Sequence, residues 1–221
     1  MGSTSLAAMA EVVGGARKRR TYAPRVPIEE RRQQLLDATL RIIARDGYAG
    51  VTIEAIAQEA EVTKPVVYGA YEKLPHLLSD LLDRTQSQVF ALLLEVLPPE
   101  LDAKSVPTQA AQITRAWVQA VRANPTLWTP ILMTGANAPQ VVVDRINEGR
   151  ATVCGYVAHL LASHVGTGPT AQARVDLAAQ ALVAAAEHFG RVLLTDPDSV
   201  DEDVLADLFD DLTRAVARRR R

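Results

Sequence analysis

Apolar residues recur at every third or fourth position through successive segments of this 221-residue chain. That period is the one of an amphipathic helix, so the pattern predicts an all-α fold. The first predicted helix runs from Pro27 to Asp46, and Gly47 is its expected C-cap. Its inward stripe is Leu35, Leu36, Thr39, Leu40 and Ile43.

Two short helices joined by a tight turn are predicted between Val51 and Lys73. Thr52 and Thr63 are expected N-caps, and Pro65 lies in the first turn of the second helix, where its missing N–H is harmless. The helical period turns Val67 and Ala70 back toward the first helix of the pair. This arrangement is typical of a helix-turn-helix whose second helix enters a DNA major groove.

The remainder of the chain is predicted to be helical and to pack on one long shared helix. Prolines and N-cap residues mark the boundaries, and Pro98-Pro99 begins a linker that extends to Val106. The predicted helices are Leu74 to Leu97, Gln109 to Ala123 after a Thr108 cap, a short apolar helix or irregular turn over 126–133, Pro139 to His164, a helix to Leu194 capped by Thr170, and a last helix to Arg218 capped by Ser199.

The helix-turn-helix resembles the DNA-binding motif of TetR-type transcriptional regulators. The residues that carry the likeness are Thr52-Ile53-Glu54-Ala55-Ile56-Ala57, Ala60, Val62-Thr63-Lys64, Val67-Tyr68 and Tyr71. The chain departs from the motif at Glu61, where the turn usually holds Gly, and at Gly69, which is often basic. The resemblance implies an all-helical homodimer that binds an operator and often releases it when a small ligand enters the C-terminal domain.

Three regions follow from the pattern and the resemblance. We expect a flexible basic arm over 1–26, a three-helix DNA-binding domain over 27–73 with its motif at 52–71, and a helical ligand-binding and dimerisation domain over 74–221. The net charge of −2 hides an asymmetry, because basic residues cluster before position 33 and acidic ones between 196 and 211. A basic end on an acidic body suits a protein that approaches DNA in one orientation.

Contacts to operator DNA are expected from the arm and from the helix-turn-helix. The arm either touches DNA or is a solvated tail that only speeds encounter. Lys64, Pro65 and Val66 are placed where base edges would be met, and the others at phosphates. The full set is Arg17, Lys18, Arg19, Arg20, Thr52, Thr63, Lys64, Pro65, Val66, Tyr68, Tyr71 and Lys73.

The last two predicted helices each present an apolar face. Those faces either pack only within one subunit or, as the resemblance implies, form a two-fold four-helix interface. The expected interface residues are Leu177, Ala181, Ala185, Phe189, Leu205, Leu208 and Leu212.

Aromatic residues of the C-terminal body lie in the segments where TetR-type regulators place a ligand pocket. They are either simple core or the wall of an apolar cavity with a few polar groups. The expected pocket residues are Phe90, Trp117, Val121, Trp128, Met133, Asn147, Arg150, Tyr156 and His188.

Catalytic and metal-binding motifs are not found, so we expect no enzyme activity, no metal site and no cofactor. The single cysteine, Cys154, suits a reducing compartment, and we expect a cytoplasmic protein with no membrane span or secretion signal. The interpretation is a repressor released by a small apolar or amphipathic ligand. The alternative is a helical ligand-binding protein or enzyme whose helix-turn-helix no longer binds DNA.

Overall fold

The computed structural model describes residues 26–96, 106–135, 138–165 and 167–217, and within these ranges the chain is helical and contains no strand. The all-α prediction is therefore confirmed. The elements are α1 (Ile28–Asp46), a short 3-10 helix (Tyr48–Gly50), α2 (Ile53–Glu59), α3 (Lys64–Ala70), α4 (Leu74–Val96), α5 (Val106–Ala123), α6 (Pro125–Leu132), α7 (Gln140–Val165), α8 (Pro169–Thr195) and α9 (Glu202–Ala217).

A first hydrophobic core joins α1, α2, α3 and the beginning of α4, and we call this unit the headpiece. Leu35 and Ile42 of α1 meet Ile56 of α2 and Val67 of α3 there, and all four are fully buried. Ile42 was not among the residues predicted to face inward from α1, yet it is buried. Leu40, which was predicted to face inward, is only partly buried. Gly47 ends α1 as predicted, with a φ of 69° and its N–H donating to the carbonyl of Ile43 at 2.9 Å.

The long helix α4 belongs to both halves of the molecule. Its first half is buried in the headpiece core, and Val89, farther along, joins a second core built around Trp117 and Trp128. Two residues of α7, Val142 and Ile146, also enter the headpiece core. The headpiece thus packs directly on the helices of the C-terminal body. The buried residues of the first half of α4 are Leu77, Leu78, Leu81 and Leu82.

Three predicted N-caps are wrong. Helix α5 begins at Val106, so Thr108 lies inside it, and α8 begins at Pro169 after Gly168, so Thr170 lies inside that helix. The cap of α9 is Asp201, whose Oδ1 accepts from the N–H groups of residues 203 and 204 at 2.9 and 3.0 Å. Ser199 instead donates its hydroxyl to the carbonyl of Asp196. The helices themselves are where the hydrophobic period placed them.

Candidate DNA-binding surface and ligand cavity

The turn between α2 and α3 has the geometry of a helix-turn-helix. The side chain of Thr52 accepts from the N–H of Ala55 at 3.0 Å, as its predicted capping role requires. Thr63 stands at the N-cap of α3 but makes no side-chain capping bond. Glu61 has a φ of 54°, the one positive φ of a non-glycine residue in the described ranges. The turn therefore uses the left-handed conformation that glycine adopts most easily, and here glutamate adopts it.

One side of α3 is exposed while the other is held by the headpiece core. Val67 and Ala70 are buried, whereas Tyr68 is 54% exposed. More than half of the surface of Tyr68 is thus available to a partner. We call the exposed residues the reading surface: Thr63, Lys64, Pro65, Val66 and Tyr68. Thr52 and Lys73, also predicted DNA contacts, are exposed at the two ends of the motif.

Lys64 is paired across the turn with Glu54 in the first turn of α2. Both side chains are more than half exposed, and the Lys64 ammonium lowers the pKa of the Glu54 carboxyl from its ordinary value. The carboxylate therefore carries its charge at neutral pH. An anion that approaches Lys64 must compete with the Glu54 carboxylate. This role of Glu54 was not predicted from the sequence.

Tyr71 is the exception among the predicted DNA contacts, because it is only 4% exposed. Its ring packs in the headpiece core with the Arg32 guanidinium 5.5 Å from its centroid, in a cation–π arrangement. Burial and the neighbouring Asp80 raise the pKa of its hydroxyl. Arg32 also donates to the carbonyl of Ala70 at 3.4 Å, at the C-terminal end of α3. The prediction of a phosphate contact by Tyr71 is wrong, and the residue instead anchors the end of α3.

The arm residues Arg17, Lys18, Arg19 and Arg20 lie outside the described residues. Their expected contact with DNA stays a prediction.

A cavity of about 470 Å³ lies within the C-terminal body, and its wall is built by α4 to α9. The wall is mainly apolar, and its aromatic side chains come from five different helices. Five of the predicted pocket residues line it: Phe90, Trp117, Trp128, Arg150 and Tyr156. Polar wall residues that the sequence analysis missed include Gln86, Thr114 and Thr213.

Four predicted pocket residues do not line the cavity. Val121 is 1% exposed and belongs to the second hydrophobic core, while Met133 follows the end of α6 and is 39% exposed. Asn147 and His188 lie on exposed faces of α7 and α8. The rotation of each helix about its axis explains why these four predictions are wrong. Only the narrow face of a helix that is not covered by neighbouring helices lines the cavity. That face depends on packing between distant segments.

Arg150 and Glu187 form an ion pair on the cavity wall that joins α7 to α8. The Arg150 Nε donates to Glu187 Oε1 at 2.7 Å, and its Nη1 donates to the amide oxygen of Asn147 at 2.8 Å. The hydrogen bond to Glu187 raises the pKa of Arg150, so the guanidinium keeps its charge. Burial, with Glu187 nearby, raises the pKa of the Cys154 thiol. This environment disfavours the reactive thiolate.

The outer faces of α8 and α9 carry exposed apolar side chains. Leu177, Leu208 and Leu212 are 66%, 42% and 39% exposed, and Ala181 is exposed beside them. Ala185 and Phe189 are partly buried, and the Phe189 ring packs edge-on against Phe209 at 6.5 Å between centroids. Leu205 is only 3% exposed and belongs to the chain's own second core, so its assignment to a subunit interface is wrong.

Helix α8 is long and apolar enough to cross a membrane by length and composition alone. No membrane span was expected from the sequence, and the core helices of other proteins meet the same criterion. Only 28% of its most apolar window is buried within the chain. Most residues of that window are therefore exposed or only partly buried within one chain.

Residues 35–72 match the family model described as bacterial regulatory proteins, tetR family. The matched range contains the whole of α2, the turn and α3, which are the elements that form the reading surface. This part of the chain therefore has the sequence of a TetR-family DNA-binding domain. The chain is also 37% identical over 62 residues to the HTH-type transcriptional repressor KstR of Mycolicibacterium smegmatis, a match that covers 28% of this chain and 30% of that repressor.

Solved structures of other proteins share the fold of most of this chain. A TetR-like transcriptional regulator from Rhodococcus sp. RHA1 superposes with a TM-score of 0.69 at 25% identity, over 88% of this chain and all of the other. The multidrug binding protein EbrR, solved in complex with malachite green, gives a TM-score of 0.60 at 22% identity over 83% and 98% of the two chains. The likeness extends beyond the headpiece to the helices that enclose the cavity.

Proposed function

We propose that this chain is a dimeric, sequence-specific DNA-binding transcriptional regulator, a repressor that leaves its operator when a small apolar or amphipathic ligand binds. The reading surface is the observation that carries this proposal. Its side chains are exposed on α3, while the opposite side of the same helix is fixed by Val67 and Ala70 in the headpiece core. A rigid helix with an exposed polar and aromatic face is what direct readout of a major groove needs.

Contacts with DNA divide into those that read bases and those that hold phosphates. Lys64, Pro65 and Val66 are at the N-terminal end of α3, the part of a recognition helix that meets base edges. Lys64 would donate to a base acceptor or a phosphate, and the apolar pair would touch thymine methyl groups. Thr52, Thr63, Tyr68 and Lys73 would hydrogen-bond or neutralise phosphates, joined by the basic arm.

Dimerisation follows from the apolar side chains on α8 and α9. A second copy would cover Leu177, Ala181, Leu208 and Leu212 through a two-fold axis, and most residues in the apolar window of α8 are not buried within one chain. Two recognition helices must then lie about 34–36 Å apart to enter successive major grooves. Specific affinity therefore depends on how the body holds the two headpieces.

Ligand release would act through the contacts between the cavity wall and the headpiece. Gln86 of α4 lines the cavity and donates to the carbonyl of Arg145 in α7 at 2.8 Å. Two residues earlier on α4, Arg84 contacts Asp37 of α1 at 2.7 Å. A ligand that moves this part of α4 would move α1 with it, which changes the separation of the recognition helices without touching the reading surface.

The relatives are transcription regulators, and we propose the same cellular location for this chain as for a DNA-binding regulator. A protein that reads chromosomal operators works in the bacterial cytoplasm, where a single cysteine stays reduced. The function proposed here involves no catalysis, no metal and no cofactor.

Selection of bound duplexes from a random DNA pool tests the proposal directly. We expect one enriched palindromic sequence, and binding to it should weaken steeply with salt, since each neutralised phosphate releases about one counterion. Removal of residues 1–20 should lower that slope if the arm contacts phosphates. A purified dimer without measurable affinity for any duplex, even at low salt, would instead support the alternative of a ligand-binding protein with an inactive helix-turn-helix.

A further inference from the structure

Several hydroxyl groups on the cavity wall are available to a ligand only as hydrogen-bond acceptors. Four hydroxyl side chains of the wall each donate to the carbonyl four residues earlier in the same helix. Because the hydroxyl proton is already used, the remaining capacity of each group is that of an acceptor. The four bonds are Ser87 to Asp83 at 2.8 Å, Thr114 to Ala110 at 2.9 Å, Thr152 to Glu148 at 3.1 Å and Thr213 to Phe209 at 2.8 Å.

The charged side chains of the wall, Arg150 and Glu187, neutralise each other. Their exposures differ, since the Arg150 side chain is 42% exposed and that of Glu187 only 19%. The carboxylate is therefore the partner that depends more on the pair, because it has less access to water. Its Oε1 is used by Arg150, and its Oε2 has lone pairs for a further donor.

This arrangement treats ligands of different charge differently. A carboxylate ligand would have to draw Arg150 away from Glu187, and a largely buried carboxylate without a partner is costly. A cationic ligand would share Glu187 with Arg150 and be repelled by that guanidinium. A neutral group with an O–H or N–H donor can bond to Glu187 Oε2 or to a wall hydroxyl while the pair stays intact.

We propose that the cavity takes an uncharged, mainly apolar molecule whose polar end is a hydrogen-bond donor such as a hydroxyl, and that the Arg150–Glu187 pair excludes carboxylates of the same shape. This inference rests on the proposed function in one respect only, because it assigns the chemical class of the effector that the same cavity would hold.

Tryptophan fluorescence provides the test, because both tryptophans of the chain, Trp117 and Trp128, line the cavity. The purified full-length protein is titrated without DNA, below micellar concentrations, with decanol, decanoate and decyltrimethylammonium. These probes share one alkyl chain and differ in the polar end. We expect decanol to bind at least about tenfold more tightly than decanoate, and more tightly than the ammonium compound. Equal or tighter binding of either ion, or no response to any probe, would overturn the proposal.

The variant Glu187→Gln removes the negative charge and leaves Arg150 uncompensated on the wall. Decanoate should then bind about tenfold more tightly than to the wild type, so that the preference for decanol shrinks or reverses. The matched control is Glu148→Gln, which removes a carboxylate of α7 that pairs with Arg145 and does not line the cavity. The control should keep the wild-type order. A Glu187→Gln variant with that same order would contradict the role of the pair.

Failure of the two proposals can be told apart. If the chain does not regulate through DNA, the random-pool selection yields no operator, yet the order of the three probes measured without DNA still stands. If the inferred ligand class is wrong, operator selection succeeds while the probe order differs from the one expected.

Discussion

The hydroxyl of Tyr48 donates to the carbonyl oxygen of Pro130 at 2.8 Å, in a buried bond between the headpiece and α6. Tyr48 follows α1 and is 8% exposed, and burial raises the pKa of its hydroxyl so that it stays a donor. Pro130 lies inside α6, whose Trp128 and Leu132 line the cavity. One side chain of the headpiece is therefore bonded directly to the backbone of a cavity wall.

Tyr48→Phe should weaken communication between the cavity and the DNA-binding surface. The ring can stay packed, while the Pro130 carbonyl keeps only the longer hydrogen bond from the Thr134 hydroxyl, at 3.4 Å. We expect the free energy of unfolding to fall by about 1–2 kcal/mol. We expect operator affinity without ligand to stay close to wild type and the loss of affinity caused by a cavity ligand to become smaller. Fluorescence anisotropy of labelled operator with and without ligand measures both quantities.

Thr129→Val is the control for this variant, because Thr129 also donates to a backbone carbonyl, that of Pro125 within α6, but on an exposed side. It should leave the ligand response unchanged. A Tyr48→Phe protein that releases DNA as completely as the wild type would show that the bond stabilises the fold without transmitting ligand binding.

The reading surface makes a prediction that separates Tyr68 from Tyr71. Lys64→Ala and Tyr68→Ala should each weaken operator binding by about 1–3 kcal/mol with the fold intact. Tyr71→Phe should leave operator affinity nearly unchanged, because the ring stays buried beside Arg32 and only the interaction of the hydroxyl with the neighbouring Asp80 is lost. Titration of each variant with operator, together with its thermal unfolding midpoint, tests the distinction. Normal affinity in both alanine variants would exclude α3 as the recognition helix.

Glu54 should lower the affinity of the protein for any DNA, because it places a carboxylate beside Lys64. Glu54→Gln frees the lysine and removes repulsion of nearby phosphates, so affinity for random duplex should rise at low salt. The matched control is Glu148→Gln on α7. If the two variants bind random duplex equally, Glu54 lies too far from bound phosphates to matter.

Gly190 of α8 allows Trp117 and Leu132 to close one side of the cavity. A Cβ at this position would lie 2.7 Å from a Leu132 methyl group and 3.1 Å from the Trp117 ring. Gly190→Ala should therefore destabilise the body by about 1–3 kcal/mol through overpacking and shift the tryptophan emission, despite the better helix propensity of alanine. Denaturant unfolding followed by fluorescence gives both values.

Gly155→Ala is the comparison, since nothing lies within 4 Å of the added Cβ on α7. There the helix propensity acts alone, and we expect a gain of about 0.5–1 kcal/mol. A stabilising effect at both positions would mean that the neighbours of Gly190 can move away freely.

Local rules predicted much of the headpiece. The Thr52 cap, the Gly47 terminus and the buried pair Val67 and Ala70 all depend on residues within a few positions of one another. Tyr71 could not be placed in the same way, because Arg32, 39 positions earlier, covers its ring. The spacing of apolar residues along one segment does not show whether a distant segment buries one of its side chains.

The C-terminal body shows the same limit more strongly. The positions of the aromatic residues correctly predicted that Trp117, Trp128 and Tyr156 line the cavity. They gave no indication of the hydroxyl side chains that also line it. Those residues belong to the wall only because six helices meet there. Leu205 was assigned to an outer face since it continues the apolar stripe of α9, and the structure turns it inward.

Substitution of Leu208 in α9 should affect dimerisation, whereas substitution of Leu205, three positions earlier, should affect the stability of the fold. Leu208 is 42% exposed in the single chain, so Leu208→Lys should leave a folded, helical monomer while preventing a second copy from covering the face. Specific operator binding is then lost, because one recognition helix reads only a half-site. A weak, salt-sensitive affinity for any duplex should remain, since the headpiece is unchanged.

Leu205→Ala should instead lower the free energy of unfolding by about 2–5 kcal/mol, since it removes buried side-chain volume from the second core. Ala151→Lys, at an exposed position of α7, controls for the added charge and should stay dimeric. Sedimentation velocity and circular dichroism distinguish the three variants. A Leu208→Lys protein that remains a dimer with normal operator affinity would place the subunit interface on other helices.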